Sequence, residues 1–511
     1  MSKDRVRRLA ASWVPLAVVA VVSPAAAQEE LAGLDAYVER AMKGWGIAGM
    51  SVAIVKDGET IWARGFGVRD ASTGEPVDEH TLFAIGSNSK LFTAVAAGML
   101  VDDGKVSWDG KITDYLPWFQ LYDPYATREL TLRDALSHRS GLGRRGDALW
   151  YGTDLSREEV IRRVRHLEPN SSFRSEFGYQ NVMFLTAGEA IAAAAGRSWD
   201  AVVRERIFTP LGMERSNTSV DPLPGTPNVA QPHEATPDGP KPIPWRDIDN
   251  IAPAGSINSS AADMARWVEF LLEGGEVEGD RLLQERTLRT ITTPHSIMGN
   301  PSDTLAPSRH FSAYGLGVGL SDYKGFKVHS HTGGIDGMLS NVTTVPELDV
   351  GWVILTNTSY NGLYTALSNY LLDTFLGGDR KDWSAIALAD WARSRERAAA
   401  ARREQEERRV KDTKPSLALE KYVGVYADPM YGEAHVTGGG DGLSLTWGAF
   451  EAVPLDHWHF DTFVFEGSEL TGGRTFVTFR LDARAEGAAL EIGGIEDFPR
   501  RPEGGSRAAA R

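Results

Sequence analysis

Apolar residues recur along the first three quarters of the chain in two periods, and the switches between them mark the elements. Residues 31–42 carry apolar side chains at helical spacing, which predicts an amphipathic helix. The run SVAIVKDGETIWARGFGV then holds two apolar-rich stretches joined across Lys56-Asp57-Gly58-Glu59, and an Asp-Gly pair there predicts a β-hairpin. From Phe83 the chain reads FAIGSNSKLFTAVAAGMLV. It is apolar on nearly every side until Asp102 and Asp103, with Gly104 as a stop. The helix it predicts must be buried, with Ser87 in its first turn.

Residues 109–119 read as loop, 132–136 as a short helix stopping at SHRSG, and 158–167 as helix. The turn around Gly178 leads into a second largely apolar helix, and 202–208 runs helically into PLGM. Residues 218–253 are rich in proline and glycine, a long loop of the kind that rims or covers a functional site. Helix returns over 259–272, with Asp263, Arg266 and Glu269 on its polar side. Strands at 314–320 and 327–330, a hairpin of 339–345 with 350–357 around Pro346-Glu347, and a helix at 364–375 follow. Strands at both ends with helices between can pair into one antiparallel sheet with helices packed on it.

The texture then changes twice. Residues 393–409 are dense in alanine, arginine and glutamate, which predicts a solvated helical spacer. After Leu417 come KYVGVYA, EAHVTGG, LSLTW, TFVFEG, RTFVTFRL and ALEIGG, separated by glycine or aspartate turns, which predicts a small all-β barrel or sandwich. The expected divisions are a leader at 1–27, a main domain at 28–376, a charged helical linker at 377–415, a barrel at 416–500 and a disordered tail at 501–511.

Composition narrows the chemistry. The net charge of −15, with glutamates interleaving the only arginine-rich run, argues against a nucleic-acid partner. Lys3, Arg5, Arg7 and Arg8, then an apolar stretch at 10–22 and Ala25-Ala26-Ala27 before Gln28, predict a cleaved export signal. That stretch is short and broken by Pro15, so no stable membrane insertion is expected after cleavage. The expected location is periplasmic or secreted, in a bacterium. Cysteine is absent, which excludes a thiol nucleophile, a disulfide and a cysteine-ligated zinc site.

Three short stretches carry candidate chemistry. Ser87 and Lys90 share one face of the buried helix. A desolvated amine loses proton affinity and could take the Ser87 proton, while the helix N-terminus favours an oxyanion. Tyr179 and Asn181 lie in the turn before the second apolar helix. A phenol beside a cationic lysine is more acidic than usual and could relay a proton; Asn181 could hold Lys90 and a substrate amide. His331-Thr332-Gly333-Gly334 leads into an edge-like strand. There the N–H of Gly334 could be a second oxyanion donor, and His331 could bond a substrate carboxylate or the Tyr179 hydroxyl. His329 and His331 alternate onto one strand face, but HSHTGG offers neither a third ligand nor a base, so no metal or cofactor is expected.

Together SNSK, YQN and HTGG, with LSHRSGL, IFTPLGM and PAGSINSSAADMARW, resemble the penicillin-recognising serine hydrolases. The nearest group is the class C β-lactamases with the D-alanyl-D-alanine carboxypeptidases, D-aminopeptidases and related esterases. The resemblance implies an α/β fold of α+β type, an antiparallel sheet flanked by helices, with a lipocalin-like C-terminal barrel. It also implies an acyl-enzyme on Ser87, with Lys90 and Tyr179 sharing acid and base duty in an order left open. Small peptides, amides or esters are the expected substrates. His331 stands where β-lactamases of this class usually have lysine, which is similar to the peptidase and esterase members. The alternatives are a class C-like β-lactamase and a non-catalytic penicillin-binding sensor.

Overall fold

Asp57 and Gly58 both adopt positive φ, 52° and 76°, the backbone a tight hairpin turn requires. Strands β1 (Gly49–Lys56) and β2 (Glu59–Gly67) run antiparallel from that turn. The computed structural model describes residues 31–299, 309–377, 379–467, 473–484 and 487–501. The expected leader and all of the expected tail but Arg501 lie outside the described residues.

Six further strands join the hairpin: β3 (Ser296–Gly299), β4 (Ser312–Tyr314), β5 (Gly319–Tyr323), β6 (Phe326–Ile335), β7 (Met338–Val345) and β8 (Val350–Thr356). Their order is β2-β1-β8-β7-β6-β5-β4-β3, antiparallel throughout, so strands from both ends of the domain meet at β1 and β8. Side-chain alternation then divides the core. Met50, Val52, Ile54, Trp352 and Ile354 face helices α1 (Leu34–Trp45) and α5 (Leu363–Phe375). Ala53, Val55, Val353 and Leu355 face the larger helical layer of α2 (Ser89–Asp102), α3 (Asn181–Ala195) and α4 (Ala261–Leu272). Within it α2 is buried on every side from Ser89 to Leu100, and Phe92 stacks on Trp267 with ring centroids 3.9 Å apart.

Four local readings of the sequence are corrected. Residues 109–119 contain a short helix, Ile112–Tyr115, whose start is fixed by Asp114 accepting from the Lys111 N–H. The YGLGVGL run is not one strand. Gly317 turns at φ 76°, and a Cβ there would lie 2.6 Å from the Lys90 carbonyl oxygen, so the glycine lets the chain cross the start of α2. The 218–253 stretch folds back in part as a hairpin of His233–Thr236 with Gly239–Pro242. Finally, β6 is an inner strand. Its pairing with β5 stops at Ser330, however, so the His331–Ile335 end is open on that side.

Helix α6 (Trp383–Glu407) follows, largely exposed beyond Ala387. Eight consecutive antiparallel strands come next: β9 (Gly424–Asp428), β10 (Gly432–Gly439), β11 (Gly442–Trp447), β12 (Phe450–His459), β13 (Thr462–Glu466), β14 (Arg474–Leu481), β15 (Gly487–Ile492) and β16 (Ile495–Pro499). A bridge between Tyr426 and Arg500 brings first and last strands together, so the sheet is a nearly closed barrel around Tyr422, Val436, Leu445 and Phe479. Among the described residues no helix is long and apolar enough to cross a membrane.

Gly333 shows how tightly the sheet meets α2. A Cβ on it would stand 1.8 Å from the Ile85 carbonyl oxygen and 2.5 Å from Ser340 Oγ. On neighbouring Gly334 it would meet only the tip of the Leu339 side chain, at 3.0 Å. Chemical denaturation should therefore find Gly333→Ala less stable than Gly334→Ala by about 1–3 kcal/mol, the usual scale of overpacking. Equal stabilities would mean that β6 has room to move.

Candidate active site

Ser87 lies on a single 3₁₀ turn, Gly86–Asn88, that feeds directly into α2. The turn is fastened on both sides. Ser89 Oγ donates to the Gly86 carbonyl at 2.8 Å, Asn88 Nδ2 donates to Ser340 Oγ at 2.8 Å, and Ser340 Oγ donates to the Ile85 carbonyl at 2.7 Å. Gly86 has φ 52°, and a Cβ there would come within 2.5 Å of the Gly334 nitrogen. That close approach brings the N-terminus of the turn against the open end of β6.

Lys90 is fully buried, and burial drives its amine well below the ordinary lysine pKa, with the Asp147 carboxylate opposing. Its Nζ reaches Asn181 Oδ1 at 2.7 Å, the Ala254 carbonyl at 2.8 Å and Ser87 Oγ at 2.9 Å. Two of these partners only accept. A neutral amine therefore spends both its protons on them and turns its lone pair to the serine hydroxyl. Asp147 Oδ1 accepts from Asn181 Nδ2 at 2.9 Å, which fixes the amide so that its oxygen faces Lys90.

Tyr179 OH donates to Ser87 Oγ at 2.7 Å, across from Lys90. The sequence suggested an acidified phenol, but burial instead pushes Tyr179 up to about 12. Desolvation outweighs the Ser87 hydrogen bond and the nearby Arg144 guanidinium, both of which pull the other way. His138 holds the turn bearing Tyr179. Its carbonyl accepts from the Gly178 N–H at 2.8 Å and its Nδ1 accepts from the Gln180 N–H at 3.0 Å. Arg144 lies over the Tyr179 ring, 4.6 Å from its centroid.

His331 does not bond the Tyr179 hydroxyl; its ring nitrogens have other partners. Nδ1 lies 2.6 Å from the Thr332 carbonyl, which can only accept, so this nitrogen carries the proton. Nε2 then accepts from the Tyr314 hydroxyl at 2.9 Å. Burial lowers the imidazole pKa to about 3, which makes His331 a neutral, fully bonded wall.

Ser87, Tyr179, Asn181, His331 and Gly334 all line one cavity of about 390 Å³, with Lys90 buried beneath its floor. The structure thus brings together all six residues singled out from the sequence. It adds Asp147, the Ala254 carbonyl, His138 and Tyr314, which sequence reasoning missed. Ala254 and His138 sit inside stretches already noted, PAGSINSS and LSHRSGL. Asp147 meets Asn181, and Tyr314 meets His331, across contacts remote in sequence that no spacing signals.

Comparison with known proteins bears on the family and the fold. The beta-lactamase family model matches residues 34–374, and a domain of unknown function, DUF3471, matches 408–499. Unguisins hydrolase ungD' of Aspergillus campestris is 30% identical over 423 residues, covering 77% of this chain and 75% of the relative. Among solved structures, the octameric penicillin-binding protein homologue from Pyrococcus abyssi has a TM-score of 0.61 at 22% identity, covering 90% of this chain and 98% of that one. D-amino acid amidase from Ochrobactrum anthropi has a TM-score of 0.55 at 23% identity, covering 70% of this chain and 99% of that one. The two structural likenesses concern the fold alone. The family match spans well over half the chain, and on that ground the protein belongs to the beta-lactamase family of serine hydrolases.

Proposed function

We propose that the protein is an exported serine hydrolase that works through an acyl-enzyme on small peptides, amides or esters. One observation carries the reading: Ser87 Oγ sits between the Lys90 amine at 2.9 Å and the Tyr179 hydroxyl at 2.7 Å, at the floor of a cavity. The free amine of Lys90 takes the Ser87 proton as Oγ attacks the substrate carbonyl. The N–H groups of Ser87 and Gly334 receive the oxyanion. Tyr179, kept protonated by burial, gives its proton to the leaving group. Water then attacks the acyl ester and passes a proton to the Tyr179 phenolate, while Ser87 Oγ departs with a proton from Lys90. Opposite pKa shifts in base and acid are what this division of labour needs.

Substrate class follows from the cavity wall. A neutral His331 with both nitrogens bonded offers no cation to a substrate carboxylate, which favours amides and esters over β-lactams. The name of the unguisins hydrolase supports a hydrolytic reaction. Export is supported by the basic, apolar and Ala-Ala-Ala pattern of the first 27 residues.

Incubating the protein with a fluorophosphonate and weighing it intact should add one label, lost in Ser87→Ala; an unlabelled parent would sink the nucleophile. Rates on a D-amino-acid amide and a p-nitrophenyl ester should exceed those on nitrocefin, and rapid turnover of nitrocefin alone would reverse the substrate ranking. The pH profile has a definite sign. Below its lowered pKa, Lys90 is protonated and cannot act as base, so kcat/KM should rise with pH through that value. It should then hold level until the phenol ionises near 12. A profile that falls between pH 8 and pH 10, with the protein still folded, would assign the roles wrongly. Replacing Asp147 by asparagine frees the Asn181 amide to turn its NH2 toward Lys90, and kcat should drop roughly 10- to 100-fold, the scale of a misaligned catalytic group.

A further inference from the structure

Beside the reaction cavity lies a second cavity of about 250 Å³, and its outer wall comes from the barrel. Trp447, Ala449 and Phe450 at the β11–β12 hairpin and Ile495 of β16 form that wall, facing Ala148 and Tyr151 of the hydrolase domain. Arg144, Asp147 and Tyr151 line both cavities, so the second adjoins the first with only these side chains at their common boundary.

The hairpin is seated rather than merely near. Gly152 has φ 63°, and a Cβ on it would overlap Ala449, 2.1 Å from its Cβ and 2.6 Å from its Cα. Met430, from the β9–β10 connection, is buried in the main core of the hydrolase domain, while Ala148 packs against the barrel's own core. The Arg163 guanidinium donates to the Met430 carbonyl at 3.4 Å. Side chains from both domains thus hold the wall beside the cleft.

The chemistry changes along the cleft. Polar groups converge near Ser87, guanidinium and carboxylate groups stand at the junction, and the far wall is aromatic and aliphatic. An apolar cavity of about 150 Å³ already accepts benzene, so this one has room for an aromatic ring or a medium acyl chain. Asp147 at the junction holds Asn181, the residue read above as the holder of the substrate amide, so the second cavity adjoins the Asn181 side of the reaction cavity. We propose that the barrel hairpin completes a distal subsite for an apolar group on the acyl part of the substrate. The preferred substrates are then amides or esters of long-chain or aromatic-capped acyl groups. This deepens the hydrolase reading and rests on it for the direction of the substrate.

Binding to the full chain carrying Ser87→Ala tests the subsite without turnover. Calorimetric titration should find octanoyl-D-alanine amide at least tenfold tighter than acetyl-D-alanine amide. That ratio should fall below threefold in Phe450→Ala, which opens the wall, and in Ile495→Trp, which fills the space; the two variants perturb the barrel in opposite ways. Equal affinities in the parent, or a preference retained in both variants, overturns the proposal. Incubation of the Ser87-containing protein with the same amides separates the two ideas. Tenfold binding preference without turnover removes the acyl-enzyme reading and leaves the subsite standing.

Discussion

Much of this protein follows from keeping one amine out of water. Lys90 has no exposed surface, and the groups around it are acceptors supplied by other segments: an asparagine side chain from the start of α3 and a backbone carbonyl from the turn after the long loop. Satisfying a buried amine this way is cheaper than burying an ammonium ion, whose desolvation would far exceed what two neutral acceptors return. Packing therefore selects the uncharged form. The same burial demands a helix apolar on every side, which is why α2 lies in the middle of the helical layer.

Burial acts in opposite senses on the two groups flanking Ser87. It disfavours the charged form of each, so it lowers the amine and raises the phenol. One environment thus keeps both groups uncharged, with no ion pair between them. His331 belongs to the same scheme. Were it protonated, its Nε2–H would face the Tyr314 hydroxyl and displace the proton now donated there. Tyr314, itself buried and held well above the usual phenol range, keeps the imidazole in its neutral form.

What the sequence made legible was local and periodic. The Asp-Gly hairpin, the all-apolar helix, the closing helix and the succession of barrel strands carry their signal in adjacent residues, and the three site motifs are contiguous triplets or quartets. What it hid depends on close approach. The YGLGVGL run has strand-like alternation, yet Gly317 turns over the Lys90 carbonyl because the helix lies there. HTGG reads as an edge because glycines admit a neighbour, and the neighbour proves to be the Ser87 turn, with β5 ending short of it. The acidity of Tyr179 was misjudged for a related reason: the expectation used the formal charge of a lysine, and that charge depends on burial, which no local pattern reports. Asp147 escaped notice because its partners, Asn181 and Trp150, matter only once the chain has folded around them.

The division between rigid and adjustable parts of the cleft follows from which contacts are steric and which are polar. Around Ser87, Gly86 and Gly333 leave no space for a methyl group, so the floor has essentially one arrangement. Higher up, the walls meet through side chains. Arg246, from the long loop, pairs with Asp336 at the β6–β7 turn at 2.8 Å, and Tyr151 donates to the same carboxylate at 2.8 Å. Interactions of this kind tolerate exchange of partners far better than a backbone contact tolerates an added atom. The floor is therefore fixed by sterics and the walls by exchangeable polar contacts. The barrel hairpin lines only the neighbouring cavity, so changes there need not disturb the packing that keeps Lys90 uncharged.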